Sequence, residues 1–79
     1  MSKLRYESFG RRLKAAREQA GWPSAERFAV KHGYLPATYR YWEQGKTMPH
    51  ATTLTVLAKT FDKPIDYLLE GLDNQTGTN

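Results

Sequence analysis

Apolar residues recur along this chain at helical spacing, and punctuation residues divide it into five segments. Phe9, Leu13, Ala16 and Ala20 follow one another at four, three and four, the repeat of one buried helix face. A first helix is therefore predicted from Tyr6 or Ser8 to Ala20, closed by Gly21. Gly10 lies inside it and costs about 1 kcal/mol relative to Ala, so a soft first turn is expected. After Gly21-Trp22-Pro23, Ser24 is a good N-cap and Glu26 suits the positive end of the helix dipole; this second helix should reach about His32. Pro36 opens a third, at the first helical position, where the missing N–H is no loss. Leu54, Leu57, Ala58 and Phe61 make the buried stripe of a fourth helix, from His50 or Ala51 to Phe61. Pro64 begins a short fifth one, to about Glu70, with Ile65, Leu68 and Leu69 apolar. Residues 1–5 read as a flexible arm, 6–70 as the folded domain, and the polar, aperiodic 71–79 as a disordered tail. The fold class expected is all-α.

The middle of the chain holds the most specific pattern. Within residues 24–45, Ala29, Gly33, Tyr39 and Trp42 stand at fixed offsets. A small Ala suits a close helix crossing, and Gly suits a left-handed helix end. Tyr39 and Trp42, three apart, share one face of the third helix, and Phe28 offers matching apolar surface on the second. Two short helices joined by a tight turn form a helix-turn-helix, whose second helix is the reader. With Tyr39 and Trp42 inward, Pro36, Ala37, Arg40, Tyr41 and Gln44 point outward and Thr38 lies at the edge. Arg40 has the fork that matches guanine O6 and N7; Ala37 and Thr38 suit a thymine methyl. Tyr41, Gln44 and Lys46 suit phosphates. Packing of Tyr41 against a neighbouring helix is the plainer alternative.

"RLKAARE" at 12–18, the Ala29/Gly33 pair, "YRYWEQGK" at 39–46, Pro49 and "LLEG" at 68–71 resemble the phage repressor/Cro-type (XRE) helix-turn-helix family. The likeness spans about residues 9–71. It implies a five-helix repressor-like bundle and a DNA-binding transcriptional regulator; a minority of the family are antitoxins or protein-binding modules. It also implies that Arg17 pairs with Glu43, as those positions do in family members. Both flank apolar positions, where an unpaired charge is costly and a paired one tolerated. The chain departs from the family pattern at three places. Ala25 stands where a Gln often reaches the DNA, Leu35 where a Ser cap is usual, and Asp62 where Gly is preferred.

Composition narrows the picture further. Seventy-nine residues allow one domain with a core near the lower size limit, and the absence of Cys removes disulfides and Cys-based zinc sites as props. No apolar run has transmembrane length and no signal peptide opens the chain, which makes a cytoplasmic location the expectation. Residues 1–46 carry ten Lys/Arg and four acids, a net +6, whereas 47–79 carry two Lys and four acids, a net −2. The positive excess thus falls on the half with the helix-turn-helix, as a polyanionic partner favours; Arg11, Arg12 and Lys14 are expected to be solvated, with one or more touching a phosphate.

Enzyme chemistry has no inventory here: no Cys, no GxSxG and no phosphate-cradling glycine spacing. His32 and His50 are 18 residues apart with no evident third ligand, so no metal and no cofactor are expected. The reading is a repressor/Cro-like regulator that binds a double-stranded DNA operator through Ser24, Pro36, Ala37, Thr38, Arg40, Tyr41, Gln44 and Lys46. A homodimer is expected through Ile65, Tyr67, Leu68, Leu69 and Leu72, more apolar surface than a six-residue helix can hide. The alternative is a module whose main partner is a protein, as an antiactivator or antitoxin would be; Ala25, Pro36, Ala37 and Tyr41 make the reading face less polar than is usual. No membrane partner is expected.

Overall fold

In the computed structural model, which describes residues 5–69, four helices run α1 Glu7–Gln19, α2 Ala25–His32, α3 Pro36–Gln44 and α4 Ala51–Thr60. Residues 65–69 are the described part of a fifth, α5. No strand occurs among the described residues. Residues 1–4 of the expected 1–5 arm, Glu70, and the expected tail at 71–79, with Leu72, lie outside them.

Each helix end has a local cause. The Ser24 hydroxyl accepts a hydrogen bond from the Arg27 N–H at 3.1 Å, capping α2, and Gly33 ends that helix at φ 83°. The Tyr34 N–H then returns to the Ala29 carbonyl at 2.8 Å, the wrap that a left-handed residue permits. Gly45 ends α3 in the same way at φ 82°, with the Lys46 N–H on the Tyr41 carbonyl at 3.0 Å. Leu35 precedes α3 without any side-chain cap; Pro36 compensates by removing one of the N–H groups that would need one. Asp62 takes a left-handed φ of 57° after α4, and the Lys63 N–H closes on the Ala58 carbonyl at 2.9 Å.

The core is aromatic at its centre. Phe28 is fully buried, with Phe61 stacked at 4.9 Å, Tyr39 at 5.1 Å and Trp22 edge-on at 5.7 Å between ring centroids. Leu13, Leu57 and Leu68 are fully buried beside it, each burial worth about 1.5–3 kcal/mol. Ala20 does not belong to this face: it is exposed and serves as the C-cap of α1, while Arg17 takes a buried place in the stripe.

The first turn of α1 packs directly against the end of α3. Gly10 is buried, and a Cβ built on it would overlap the Glu43 carbonyl oxygen and lie 2.9 Å from the Gly45 nitrogen. A Cβ on Gly45 would in turn lie 2.7 Å from the Cα of Glu7. The two glycines let the start of α1 and the end of α3 meet backbone to backbone, and the Tyr6 N–H donates to the Gly45 carbonyl at 3.0 Å across the junction.

Two turns further along α1, Arg17 reaches the same end of α3. Its Nε donates to Glu43 Oε2 at 2.7 Å and its Nη2 to Oε1 at 3.1 Å, a bidentate pair. Its Nη1 donates to the Trp22 carbonyl at 2.6 Å, so one guanidinium joins α1, α3 and the loop before α2. The side chains are 4% and 9% exposed. The hydrogen bonds that Arg17 donates to Glu43 raise its pKa, against the burial that lowers it. Burial first, and then the Glu43 carboxylate, push the neighbouring Tyr39 phenol far above its ordinary value, so it stays neutral in the folded protein. Its oxygen is buried without a hydrogen-bond partner among the described residues.

Truncating either partner, as Arg17→Ala or Glu43→Ala, should cost about 3–5 kcal/mol in chemical denaturation, because the other charge is stranded in the interior. A loss under about 1 kcal/mol would place the pair with ordinary surface pairs. For Gly10→Ala, helix propensity alone gives a gain of about 1 kcal/mol. The backbone contact reverses the sign: overpacking costs about 1–3 kcal/mol, and neither carbonyl nor amide can rotate aside as a side chain can. The expected result is a lower denaturant midpoint at unchanged slope; a raised midpoint would show that α1 slides without cost.

Candidate nucleic-acid interface

The inward face of α3 determines its outward face. Tyr39 is fully buried and Trp42 is 8% exposed, their rings T-shaped at 5.8 Å, with Tyr34 and Phe28 behind them. Ala37, Thr38, Arg40, Tyr41 and Gln44 are all left exposed, and Pro36 is half-buried at the start of the helix. Lys46, exposed just past the helix, holds its Nζ 5.0 Å from the Tyr41 ring centroid. Tyr41 is 45% exposed and so presents its ring to solvent and to Lys46 rather than to a neighbouring helix.

The charge of this face follows from the ion pair. Glu43 is the one acid of α3, and Arg17 neutralises it in the interior. Arg40 and Lys46 therefore stand on the outward side with no acid of α3 opposing them.

Ser24 is set apart from these residues. Its hydroxyl is engaged in the α2 cap, and it lines a shallow hollow with Trp22, Glu26, Arg27, Val30 and Lys31. Ala25, the next residue, lines a different one: a notch of about 260 Å³ with Lys14, Arg17, Arg40, Glu43 and Gln44. The sequence pattern does not single out Lys14; its place beside Arg40 depends on how α1 crosses α3.

Two other cations of α1 are engaged. Arg11 pairs with Glu7 at 3.1 Å on the exposed surface, and the Arg12 guanidinium lies 5.2 Å from the Tyr67 ring centroid. Lys63 lies 5.0 Å from the same ring. Tyr67 is thus tied to the domain by two cations, and Leu68 is fully buried within it. Leu68 cannot serve a dimer surface, because the core already covers it; Ile65, Tyr67 and Leu69 remain half-buried, and Leu72 is outside the described residues. The expected surplus on α5 is smaller than its sequence suggests.

The His32 ring stacks on Phe28 at 4.2 Å, and its Nδ1 lies 3.1 Å from the Phe28 carbonyl oxygen. Among the described residues no group of three or more His, Cys, Asp or Glu is arranged to hold a metal, and no helix is long and apolar enough to cross a membrane.

A helix-turn-helix family model matches residues 13–68, from the middle of α1 into α5. Neither a curated protein nor a solved structure matches the chain. With most of its length matched and α2 and α3 set as described, the chain belongs to the XRE-type helix-turn-helix family, at the general level a family of DNA-binding transcription regulators rather than of enzymes.

Proposed function

We propose that the protein is a sequence-specific regulator of the repressor/Cro type, acting in the cytoplasm, with α3 in the major groove of a double-stranded DNA operator. The observation that carries this reading is the outward face of α3: exposed, bearing Arg40 and leading to Lys46, with its one acid withdrawn into the core. Arg40 is the base reader, since its fork meets guanine O6 and N7 together. Ala37 and Thr38 lie against thymine methyls, with Pro36 at the lip of the groove. Tyr41, Gln44 and Lys46 hold phosphates, the lysine and ring acting as one unit. Ser24 acts through the α2 cap, holding the helix that supports α3.

A two-fold mate packs on Ile65, Tyr67 and Leu69 of α5, with Leu72, and sets the two reading helices about 34 Å apart, one turn of DNA. A second reading has its own observation. Leu35 is 73% exposed at the head of α3 and Val30 63% exposed on α2, so the helix-turn-helix carries apolar side chains that an antiactivator or antitoxin would use against a protein. Salt separates the two. A DNA reader should lose affinity with a log–log slope of about −0.9 per phosphate neutralised; an apolar protein contact should hardly respond.

Arg40→Ala should lose about 1–3 kcal/mol on the selected site and relax the base choice at one position in each half-site. Lys46→Ala should weaken specific and random duplexes alike and make the salt slope shallower by about one unit. If neither substitution changes DNA binding, the protein-partner reading takes over. Sedimentation at high micromolar concentration should show a dimer that Ile65→Asp abolishes; a monomer both free and on DNA would remove the two-fold model.

A further inference from the structure

We propose that the notch between α1, α2 and α3 is an anion site that takes one phosphate group, with Lys14 as its direct ligand. The source we assign, a phosphate of the DNA backbone, rests on the DNA-binding reading above; the site itself rests on charge and shape. Three helices contribute to it: Lys14 from α1, Ala25 from the start of α2, and Arg40 and Gln44 from α3, above the Arg17–Glu43 pair. Glu43 is the only carboxylate in the lining, and it is bound by Arg17 through two hydrogen bonds. Lys14 and Arg40 are then left as two positive charges on one small concavity. Both are exposed, and neither side chain has a hydrogen bond or ion pair with a described residue. Two like charges with low-dielectric walls behind them repel each other and focus a positive potential, which an anion relieves.

The shape fits the same ligand. A volume of about 260 Å³ admits a tetrahedral phosphate with some of its water. It is open because residue 25 is Ala; a longer side chain there would occupy the space. Ala25 is also the first residue of α2, so the positive end of that helix adds a minor favourable term at the wall. The Gln44 amide offers a second donor. Arg40 contributes its charge through space, and its fork remains available to a base edge. A phosphate in the notch would therefore be gripped from α1 while α3 reads beside it, fixing the register of the reading helix along the groove.

The test uses the full chain with Lys14→Ala, Lys14→Arg and Ala25→Leu, each checked by thermal melting, and Lys46→Ala as reference. Binding to a mixed-sequence duplex is titrated across a salt series, and inorganic phosphate is titrated by amide chemical shifts. Lys14→Ala should weaken all duplexes alike and make the salt slope shallower by about one unit, while Lys14→Arg keeps it. Ala25→Leu, which changes no charge but fills the notch, should reproduce the Lys14→Ala loss. Inorganic phosphate should shift the amides of residues 14, 25, 40 and 44 saturably, and not in Lys14→Ala. An unchanged slope in Lys14→Ala beside a shallower one in Lys46→Ala would overturn the notch and leave the DNA reading intact. A full slope retained by Ala25→Leu would overturn it too, since diffuse charge would then account for the contact. If the wild type binds no duplex, the DNA reading fails and phosphate alone decides: saturable shifts at the notch support a free-anion site, and none overturns it.

Discussion

A buried guanidinium is tolerable only where its charge is met and each of its nitrogens finds an acceptor, and Arg17 satisfies that condition. Glu43 accepts two of its hydrogen bonds and the Trp22 carbonyl a third. Removing any one partner leaves an uncompensated polar group in the interior, so the arrangement of α1, α3 and the loop before α2 is held as a unit. Apolar packing alone would be less selective, since Leu13 or Phe9 could gain nearly the same burial with α3 slid or rotated by a fraction of a turn. Directional bonds exclude those neighbouring arrangements. What the pair contributes is the orientation of the helix-turn-helix more than net stability, since replacing such a pair by well-packed apolar residues is often neutral or better.

That pair can form only because the backbones come close enough. Gly10 and Gly45 remove the two side chains that would separate the start of α1 from the end of α3, and the junction is completed by the Tyr6 to Gly45 hydrogen bond. A lone Tyr39 hydroxyl, buried without a partner among the described residues, sits close to the same charges and lowers the margin of a small core. The site inherits its character from this junction. Taking Glu43 inward withdraws the one negative charge α3 has, and Arg40 and Gln44, among the residues left outward, both carry donors.

The helices are legible in the sequence because their signals are short-range: caps, glycine stops and the 3.6-residue repeat are local, and α2, α3 and α4 lie where Ser24, Gly33, Pro36, Gly45 and the Leu54–Phe61 stripe put them. Resemblance to a family carries the Arg17–Glu43 pair, which no local rule yields across 26 residues. Three features are illegible for a common reason. Gly10 reads as a helix weakness when only its own helix is considered, and its purpose appears with α3 against it. Leu68 reads as surface surplus on an isolated α5, yet α5 turns it fully inward. Lys14 is one of several cations on α1, and nothing in its neighbours along the chain distinguishes it from Arg11, which pairs with Glu7. Each depends on how two elements meet, which periodicity does not encode.

The departures from the family pattern gain meaning in the same way. Ala25 lacks a side chain long enough to reach a partner of its own, but its smallness is what opens the space between Lys14 and Arg40. In the proposed phosphate site, Lys14 brings its charge from α1 into the notch that Ala25 lines from α2. Leu35 shows the opposite balance: it does not cap α3, and at 73% exposure it gains nothing from the core either. That apolar surface at the head of α3 is available to an apolar group of a partner, a thymine methyl or a protein side chain. The polar part of α3 and its apolar head therefore make different demands on one partner; under the DNA-binding reading proposed above, a major groove with phosphate walls and methyl-bearing floor would meet both.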